Sequence, residues 1–312
     1  MTTFINQVQT KWQTGLREYF CQTQNWLVNN NYLKSQQNYR RFVIICNIRT
    51  GSTMLSSLLS SHDQVICFFE LFHRHLKSVP FSVAGYRSKA NHPRIVHLRN
   101  TDPVGFLKSE VYKPQRDKIK AVGFKLLYPQ GRKGVPWWNE PEFNRWWENV
   151  GYEPNWDCAK SDLWQFLKED TSIAIIHLKR ENLLRSKVSA MAAQLTGKWG
   201  VGATGGINET MEARFSLKFE ECLQDLEAHR RMEDEAEALF ANHQKLDLTY
   251  EEMVEDLNTA SSRVQNFLGL TPKALKTKTI KQESRDLSEI VVNYDNLKKQ
   301  FSTTCWQYLF EE

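Results

Sequence analysis

Short apolar runs alternate with helical patterns along most of the chain. Five of these runs are typical of strands that are buried on both faces of a sheet. They are FVIIC (42–46), VICFF (65–69), AVGFKLL (121–127), SIAIIHL (172–178) and KLDLTY (245–250). Helical stretches lie between them, notably 182–195 and 208–242. This order predicts an α/β fold, with an open parallel sheet and helices on both of its faces.

The first forty residues differ from this alternating core. Apolar residues recur there at helical spacing, which predicts an N-terminal helical arm over residues 1–40. They are Ile5, Val8, Trp12, Leu16 and Phe20. The arm would cover the core, and its alternative use is a contact between two copies of the chain. The remaining residues, 41–312, are predicted to form the main domain.

A second distinct segment spans residues 131–165, which hold six of the ten tryptophans. Proline and glycine punctuate it, so we expect a helical insertion rather than another strand. Its aromatic side chains can fill a small core of their own or form a cap over a substrate pocket. These two interpretations are compatible.

Composition narrows the class of protein. The 312 residues carry 41 Lys and Arg against 36 Asp and Glu, and a net charge of +5 is too mild to indicate nucleic-acid binding. The positive charge is concentrated in residues 72–133, which hold 14 Lys and Arg against 3 Asp and Glu. Such an island is expected where a protein faces a small polyanion.

The same sequence argues against a membrane or secreted protein. It lacks an apolar run of 18 residues, and its start lacks the basic and apolar regions of a secretory signal. The six cysteines are widely scattered, and several lie inside apolar runs. We therefore expect buried free thiols, a cytoplasmic location and no zinc site.

The most informative stretch, FVIICNIRTGSTMLSSLL (42–59), joins the first apolar run to a helix. A glycine-containing turn that leads into a helix N-terminus predicts an anion cradle of backbone N–H groups. Hydroxyl groups and a permanent guanidinium charge add further donors. The predicted cradle is Arg49, Thr50, Gly51, Ser52, Thr53 and Met54. Neither G-x-x-x-x-G-K-[ST] nor G-x-G-x-x-G is present, which argues against a nucleoside-triphosphate loop and a dinucleotide fold.

A second cationic residue, Arg180, follows the apolar run 172–178 and precedes a helix that carries Ser189. Ligands of open parallel sheets bind outside the carboxyl ends of the strands. We therefore expect Arg180 to share a crevice with Arg49.

With these two elements the sequence resembles the sulfotransferases that use 3′-phosphoadenosine 5′-phosphosulfate (PAPS), and most of all the bacterial branch that includes trehalose sulfotransferase. The resemblance covers residues 41–305 and implies that the loop beginning at Arg49 binds the 5′-phosphosulfate. It also implies that Arg180 and Ser189 hold the 3′-phosphate, with Ser186 and Arg185 as alternatives to Ser189. In the C-terminal part it makes Lys281 and Gln282 cofactor residues, with Arg285 behind them.

The resemblance also indicates the catalytic groups. It places a glutamate base at Glu70, and the surrounding aromatic residues would partly desolvate this carboxylate and favour its neutral form. The alternative for Glu70 is a structural pairing with a basic neighbour, and the alternative base is His73. Lys125 would contact the sulfuryl group or the bridging oxygen and supply the mobile proton that Arg49 cannot.

The function implied is sulfuryl transfer to a hydroxyl or nitrogen of a small acceptor, such as a sugar or a guanidinium alkaloid. The transferred group carries at most one charge, so no metal is expected. We keep two alternatives open. One is a nucleotide kinase-like transferase, which would bind ATP and Mg²⁺, and the other is a scaffold protein that binds nucleotide without turnover.

Overall fold

The computed structural model describes residues 2–73, 78–131, 161–196, 214–277 and 285–311, with side chains from residue 15 onward. Most of the tryptophan-rich segment lies outside these residues. So do two of the predicted cofactor residues, Lys281 and Gln282.

The described strands and helices follow the predicted order closely. The strands are β1 (Ser35–Gln36), β2 (Arg40–Cys46), β3 (Val65–Glu70), β4 (Gln115–Arg116), β5 (Ala121–Leu127), β6 (Ala174–Lys179) and β7 (Lys245–Thr249). The helices are α1 (Thr2–Asn29), α2 (Ser52–Ser61), α3 (Pro93–Thr101), α4 (Pro103–Phe106), α5 (Asp162–Glu169), α6 (Leu183–Thr196), α7 (Phe219–Leu239), α8 (Tyr250–Glu255), α9 (Leu257–Phe267), α10 (Leu287–Ile290) and α11 (Tyr294–Phe301). A π-helical turn (Leu107–Val111) and two 3₁₀ turns (Arg87–Lys89 and Gln307–Phe310) complete them.

Five parallel strands form the central sheet in the order β3-β5-β2-β6-β7. This confirms the predicted open parallel sheet with flanking helices. Strand β2 lies at the centre of the sheet, and its residues 42–46 are therefore fully buried. The chain leaves β2 towards β3 and β5 on one side and then crosses to β6 and β7 on the other. Such a switch point opens a crevice at the carboxyl ends of the strands.

The two faces of the sheet bury different side chains. One face packs aromatic rings, including those of Phe68, Phe72 and Phe124, against the segment 93–111 and helix α5. The other packs aliphatic side chains beneath α2 and α9. Trp164 of the tryptophan-rich segment is fully buried in the aromatic face, so this one tryptophan belongs to the main core.

Two elements of the main domain differ from the sequence-based predictions. Strand β7 is not buried on both faces, because it is the edge strand of the sheet and only Leu248 within it is buried. The helix predicted from residue 208 begins at Phe219. Residues 214–218 are not helical, since Phe215 pairs with Val291 as an isolated bridge.

The predicted N-terminal helix is present as α1, but it ends at Asn29 instead of continuing to residue 40, and Ser35–Gln36 form strand β1, which pairs with β4. Its Glu18 carboxylate accepts a hydrogen bond from Gly85 N at 2.9 Å, and Asn25 donates to Gly85 O at 3.2 Å. Other α1 side chains remain exposed, namely Leu16, Tyr19, Phe20 and Trp26. A contact between two copies through α1 stays a prediction. Within the described residues, no helix has both the length and the apolar character needed to cross a bilayer.

The cysteines match expectation in part. Cys46, Cys67 and Cys222 are buried free thiols, Cys21 is half-buried and Cys305 is exposed. The prediction of burial is therefore wrong for Cys305, which lies near the C-terminus outside any apolar run. Cys158 lies outside the described residues.

A buried polar pair lies on the aromatic face of the sheet. The Tyr128 hydroxyl and His177 Nε2 are 2.6 Å apart, and His177 Nδ1 lies 3.4 Å from the Asp247 carboxylate. Burial, together with the charge on Lys179, lowers the pKa of His177 to about 4. The ring is therefore neutral at neutral pH.

We expect the depressed pKa of His177 to make the fold acid-sensitive. An unfolded histidine takes up a proton below its ordinary pKa of 6.5, whereas the folded one does so only near 4. Stability is thus lost as pH falls from 6.5 to 4, by about 3 kcal/mol for this residue. Unfolding by urea across this range should show a flatter pH dependence for His177→Gln, and His92→Gln, at an exposed site, is the control. Equal slopes for wild type and His177→Gln would contradict this.

Candidate active site

The turn between β2 and α2 has the backbone of an anion cradle. Arg49 and Gly51 both adopt positive φ, at 60° and 78°, so the chain reverses sharply before α2 begins at Ser52. Gly51 occupies the N-cap position and has no side chain with which to cap the first-turn N–H groups. These N–H donors are the groups that bind anions at helix N-termini.

The hydroxyl groups of this turn point in different directions. Thr50 is fully buried, and its hydroxyl donates to Asn47 O at 2.9 Å, so it stabilises the turn itself. Ser52 is also buried, and its hydroxyl lies against the Cys46 thiol. Thr53 is exposed and accepts a hydrogen bond from Lys125 Nζ at 3.2 Å. Of the three hydroxyl groups, that of Thr53 is the one best exposed to a ligand.

The structure brings Arg49 and Arg180 together at the carboxyl edge of β2 and β6. Arg180 Nη1 donates to Arg49 O at 3.0 Å, and Arg49 Nε donates to Ser189 Oγ at 2.9 Å. Arg49 of the predicted 5′-phosphosulfate loop thus contacts both Arg180 and Ser189, the residues predicted to hold the 3′-phosphate. Half-buried Met54, the last residue of the predicted cradle, packs against the aliphatic core beside them.

The pKa values of Arg49 and Arg180 are both lowered. Burial and the neighbouring charge of Arg180 lower the pKa of Arg49 to about 10. Burial also lowers the pKa of Arg180, although Tyr250 and Glu251 partly oppose this shift. Two desolvated guanidinium groups this close gain from an anion placed between them.

Tyr250 completes this corner of the site, and the sequence-based analysis did not name it as a site residue. The Arg180 guanidinium carbon stands 4.5 Å from the centre of the Tyr250 ring, a cation–π contact. The same ring packs so closely on Gly51 that a Cβ there would lie 2.6 Å from Tyr250 Cδ2. The signal available in the sequence was its position at the end of the apolar run 245–250.

Glu70 and Lys125 form an ion pair at the end of β3. Glu70 Oε1 lies 2.7 Å from Lys125 Nζ, and the lysine side chain is only 4% exposed. A bulge in β3 between Phe68 and Glu70 shifts the register so that Glu70 is the neighbour of Lys125 on β5. Bulges re-aim side chains in this way near functional sites.

The prediction that desolvation favours the neutral form of Glu70 is wrong. Burial does raise the pKa of its carboxyl group, but the charge and hydrogen bond of Lys125 outweigh burial, and the pKa is lowered. The carboxylate is therefore ionised at neutral pH, and the alternative of a pairing with a basic neighbour is what the structure contains. The aromatic residues around Glu70 are its neighbours along the chain, whereas Lys125 comes close to it only through the pairing of β3 with β5.

His73, the alternative base, lies one turn beyond Glu70. Its backbone N donates to Glu70 O at 3.0 Å, and its backbone O accepts from Arg99 Nη1 at 3.0 Å. Its positive charge, when present, further lowers the pKa of Glu70. The structure thus keeps both possible bases in one loop, which buried Arg99 anchors.

The structure also describes the two alternatives to Ser189. Ser186 is buried, and within the described residues its hydroxyl has no hydrogen-bond partner. Arg185 Nη1 donates to Arg285 O at 2.7 Å. Arg285 is half-buried and follows the undescribed residues 278–284, which include Lys281 and Gln282. Their predicted contacts with a nucleotide therefore stay predictions.

One group within the described residues has the spacing of metal ligands. The ligand atoms of His177, Glu237 and Asp247 lie within 4.8 Å of one another. However, Lys179 Nζ lies 2.6 Å from Glu237 and 3.6 Å from Asp247. Because an ammonium group already neutralises these carboxylates, the cluster behaves as an ion-pair network.

A family model described as Stf0 sulphotransferase matches residues 162–296 of the chain. The matched stretch contains Arg180 and Ser189. The loop 49–54, Glu70 and Lys125 lie before it.

Individual proteins resemble more of the chain. The chain is 25% identical over 276 residues to Nodulation protein H of Rhizobium tropici. The matched region covers 86% of this chain and 92% of that protein. The chain is also similar to a solved sulfotransferase from Alicyclobacillus acidocaldarius, at 13% identity and a TM-score of 0.40. That likeness covers 88% of this chain and 96% of the other, and at this TM-score it adds nothing to the fold described above.

We expect Gly51→Ala to damage the cradle because of its contact with Tyr250. At φ 78° the new Cβ is strained, and it also displaces the Tyr250 ring from Arg180. Gly269→Ala is the matched control, since Gly269 has φ 70° but a Cβ there would have nothing within 4 Å. Calorimetry with adenosine 3′,5′-bisphosphate should show at least tenfold weaker binding for Gly51→Ala only, which corresponds to about 1.4 kcal/mol. Equal binding by both variants would exclude the contact as the cause.

Proposed function

We propose that this sulfotransferase moves a sulfuryl group from PAPS to a hydroxyl or nitrogen of a small acceptor. That the chain is a sulfotransferase, as the sequence predicted, is confirmed by the family match. The donor, the kind of acceptor and the roles of individual residues make up the proposal. Its main support is the hydrogen bond from the Arg180 guanidinium to the backbone carbonyl of Arg49, which concentrates two half-buried arginines beside one helix N-terminus.

The cationic corner fits a donor with two anionic ends. The N–H groups at the start of α2, with Arg49, would hold the 5′-phosphosulfate, and Arg180 and Ser189 would hold the 3′-phosphate. Gly51 lets the Tyr250 ring pack directly against the turn, since a Cβ there would lie 2.6 Å from Tyr250 Cδ2. Both arginines have lowered pKa values because they are buried, so an anionic ligand would stabilise their charged forms.

Transfer breaks the bond between sulfur and the bridging oxygen, whose electron pair stays on the 5′-phosphate, and forms a bond from sulfur to the acceptor atom. The Glu70 carboxylate would take the proton that the acceptor loses, giving a sulfated acceptor and adenosine 3′,5′-bisphosphate. Because Glu70 is already ionised, it is ready to accept that proton.

Lys125 connects the base to the donor side of the site. Its ammonium group contacts both Glu70 and Thr53, the exposed hydroxyl at the start of α2. It would stabilise the negative charge that develops on the bridging oxygen. When the ammonium group interacts with this new charge, it would stabilise the ionised Glu70 less strongly. The pKa of Glu70 would then rise, and the carboxylate would become a better base during transfer.

The free thiols of the described cysteines support the cytoplasm as the proposed location. The tryptophans of the 131–165 segment make a sugar or a cationic natural product the proposed acceptor, through ring stacking or cation–π contact. A kinase-like transferase remains the alternative within enzymes, and the missing G-K-[ST] in the loop counts against it.

The nucleotide preference can be tested without knowing the acceptor. We expect adenosine 3′,5′-bisphosphate to raise the melting temperature, and ATP with Mg²⁺ to raise it much less. Arg180→Met should abolish most of this shift, because a buried phosphate partner is lost. Arg263→Met, which removes a surface arginine paired with Glu252, is the control. A larger shift with ATP and Mg²⁺ would favour the kinase-like alternative.

The catalytic pair is tested by turnover of ³⁵S-labelled PAPS with a panel of small sugars and guanidinium compounds. We expect Glu70→Gln to lower kcat by about 10²- to 10⁴-fold while bisphosphate binding is kept. Lys125→Met should also lower kcat more than donor affinity. Glu110→Gln, from a separate Glu–Lys pair with Lys89, is the control. Full activity of Glu70→Gln would exclude it as the base, and weakened PAPS binding with normal turnover in Lys125→Met would exclude a catalytic role for Lys125.

A further inference from the structure

Glu70 has a second partner, Gln130, which lies in the turn directly after β5. Gln130 Nε2 donates to Glu70 Oε2 at 2.8 Å, while Lys125 holds the other carboxylate oxygen. Both oxygens of the carboxylate are thus held by donors from the β5 side of the site. This geometry fixes the plane of the carboxylate as well as its position.

The amide of Gln130 has one orientation that satisfies its surroundings. Its Oε1 accepts from Leu127 N at 3.2 Å, and a backbone N–H can only donate. The NH₂ end must therefore face Glu70. Since an NH₂ group is also a donor only, it favours an ionised carboxylate over a protonated one.

The turn that carries Gln130 is anchored to the protein core. Gln130 O accepts from the indole Nε1 of Trp164 at 2.8 Å, and Ser161 donates to the neighbouring Gly131 O. Trp164 is fully buried and packs 6.0 Å from Phe240, measured between ring centroids. Helix α5 begins within the tryptophan-rich segment, and its Trp164 therefore holds the turn whose Gln130 contacts Glu70.

We infer that Gln130 is a positioning residue for the base, held by Trp164 and acting on Glu70 through its side-chain amide. This inference rests on the proposed function, in which Glu70 accepts the proton of the acceptor. It adds a residue that neither the loop motif nor the charged groups of the site reveal. It also assigns a role to the one described tryptophan of the 131–165 segment.

The pH profile of PAPS turnover tests the positioning role, with water as the acceptor if no better one is found. Gln130→Leu removes the donor, so the acid limb of kcat/KM should move up by about half a pH unit to one unit, with kcat about tenfold lower. Gln130→Glu should move it further, because two adjacent carboxylates resist joint ionisation. Trp164→Phe should move it in the same direction by less. Bisphosphate affinity should remain unchanged in all three variants.

The matched control is Gln115→Leu, since Gln115 is also buried and donates to the Tyr86 hydroxyl at 3.0 Å. It should lower stability without moving the acid limb. A reduced kcat in Gln130→Leu with the wild-type acid limb would mean a structural role only, and would overturn the inference.

A second measurement does not depend on activity. In a double-mutant cycle of Glu70→Leu and Gln130→Leu, the effects on the free energy of unfolding at pH 7 should not add, because either substitution alone removes the one hydrogen bond that the two side chains share. Additive effects would overturn the inference. If the wild type turns over no PAPS with water or with any acceptor, the proposed function fails, while this cycle still decides whether Gln130 holds Glu70.

Discussion

The crowding of two half-buried arginines is the constraint around which this site is organised. Arg49 and Arg180 follow the neighbouring strands β2 and β6, and the Arg180 guanidinium donates to the backbone carbonyl of Arg49. Ser189 accepts from Arg49, and the Tyr250 ring lies against Arg180. Such an arrangement costs solvation and mutual repulsion, and an anionic ligand offsets both. At this corner Gly51 adopts positive φ and packs closely against the Tyr250 ring, which itself lies against Arg180.

The sheet topology explains why this corner lies next to the catalytic pair. Strand β2 lies between β5 and β6 and is parallel to both, so the carboxyl ends of all three strands open at the same edge. Strand β6 leads to Arg180, β2 leads to Arg49, and β5 carries Lys125, which reaches Glu70 on β3. The Lys125 contact with Thr53 joins the two halves, so changes in charge at one half are felt at the other.

Much of the fold followed from local patterns. The apolar runs placed all five strands of the central sheet within two residues of their observed bounds, since runs buried on both faces are distinctive in parallel sheets. The edge position of β7 did not follow, because burial depends on which neighbour a strand acquires. The start of α7 was also missed, since the bridge between Phe215 and Val291 joins residues far apart in the chain.

By itself the sequence determined the strand–turn–helix loop at Arg49 and the position of Arg180 after a strand, because both depend on neighbours along the chain. Tertiary structure decided the ionisation of Glu70, since Lys125 approaches it only after strand pairing and a bulge in β3. It also decided the contact of Gln130 with Glu70, for which no local pattern exists. Electrostatic environments are set by groups brought together in space, and a linear pattern carries only the part of them that lies nearby along the chain.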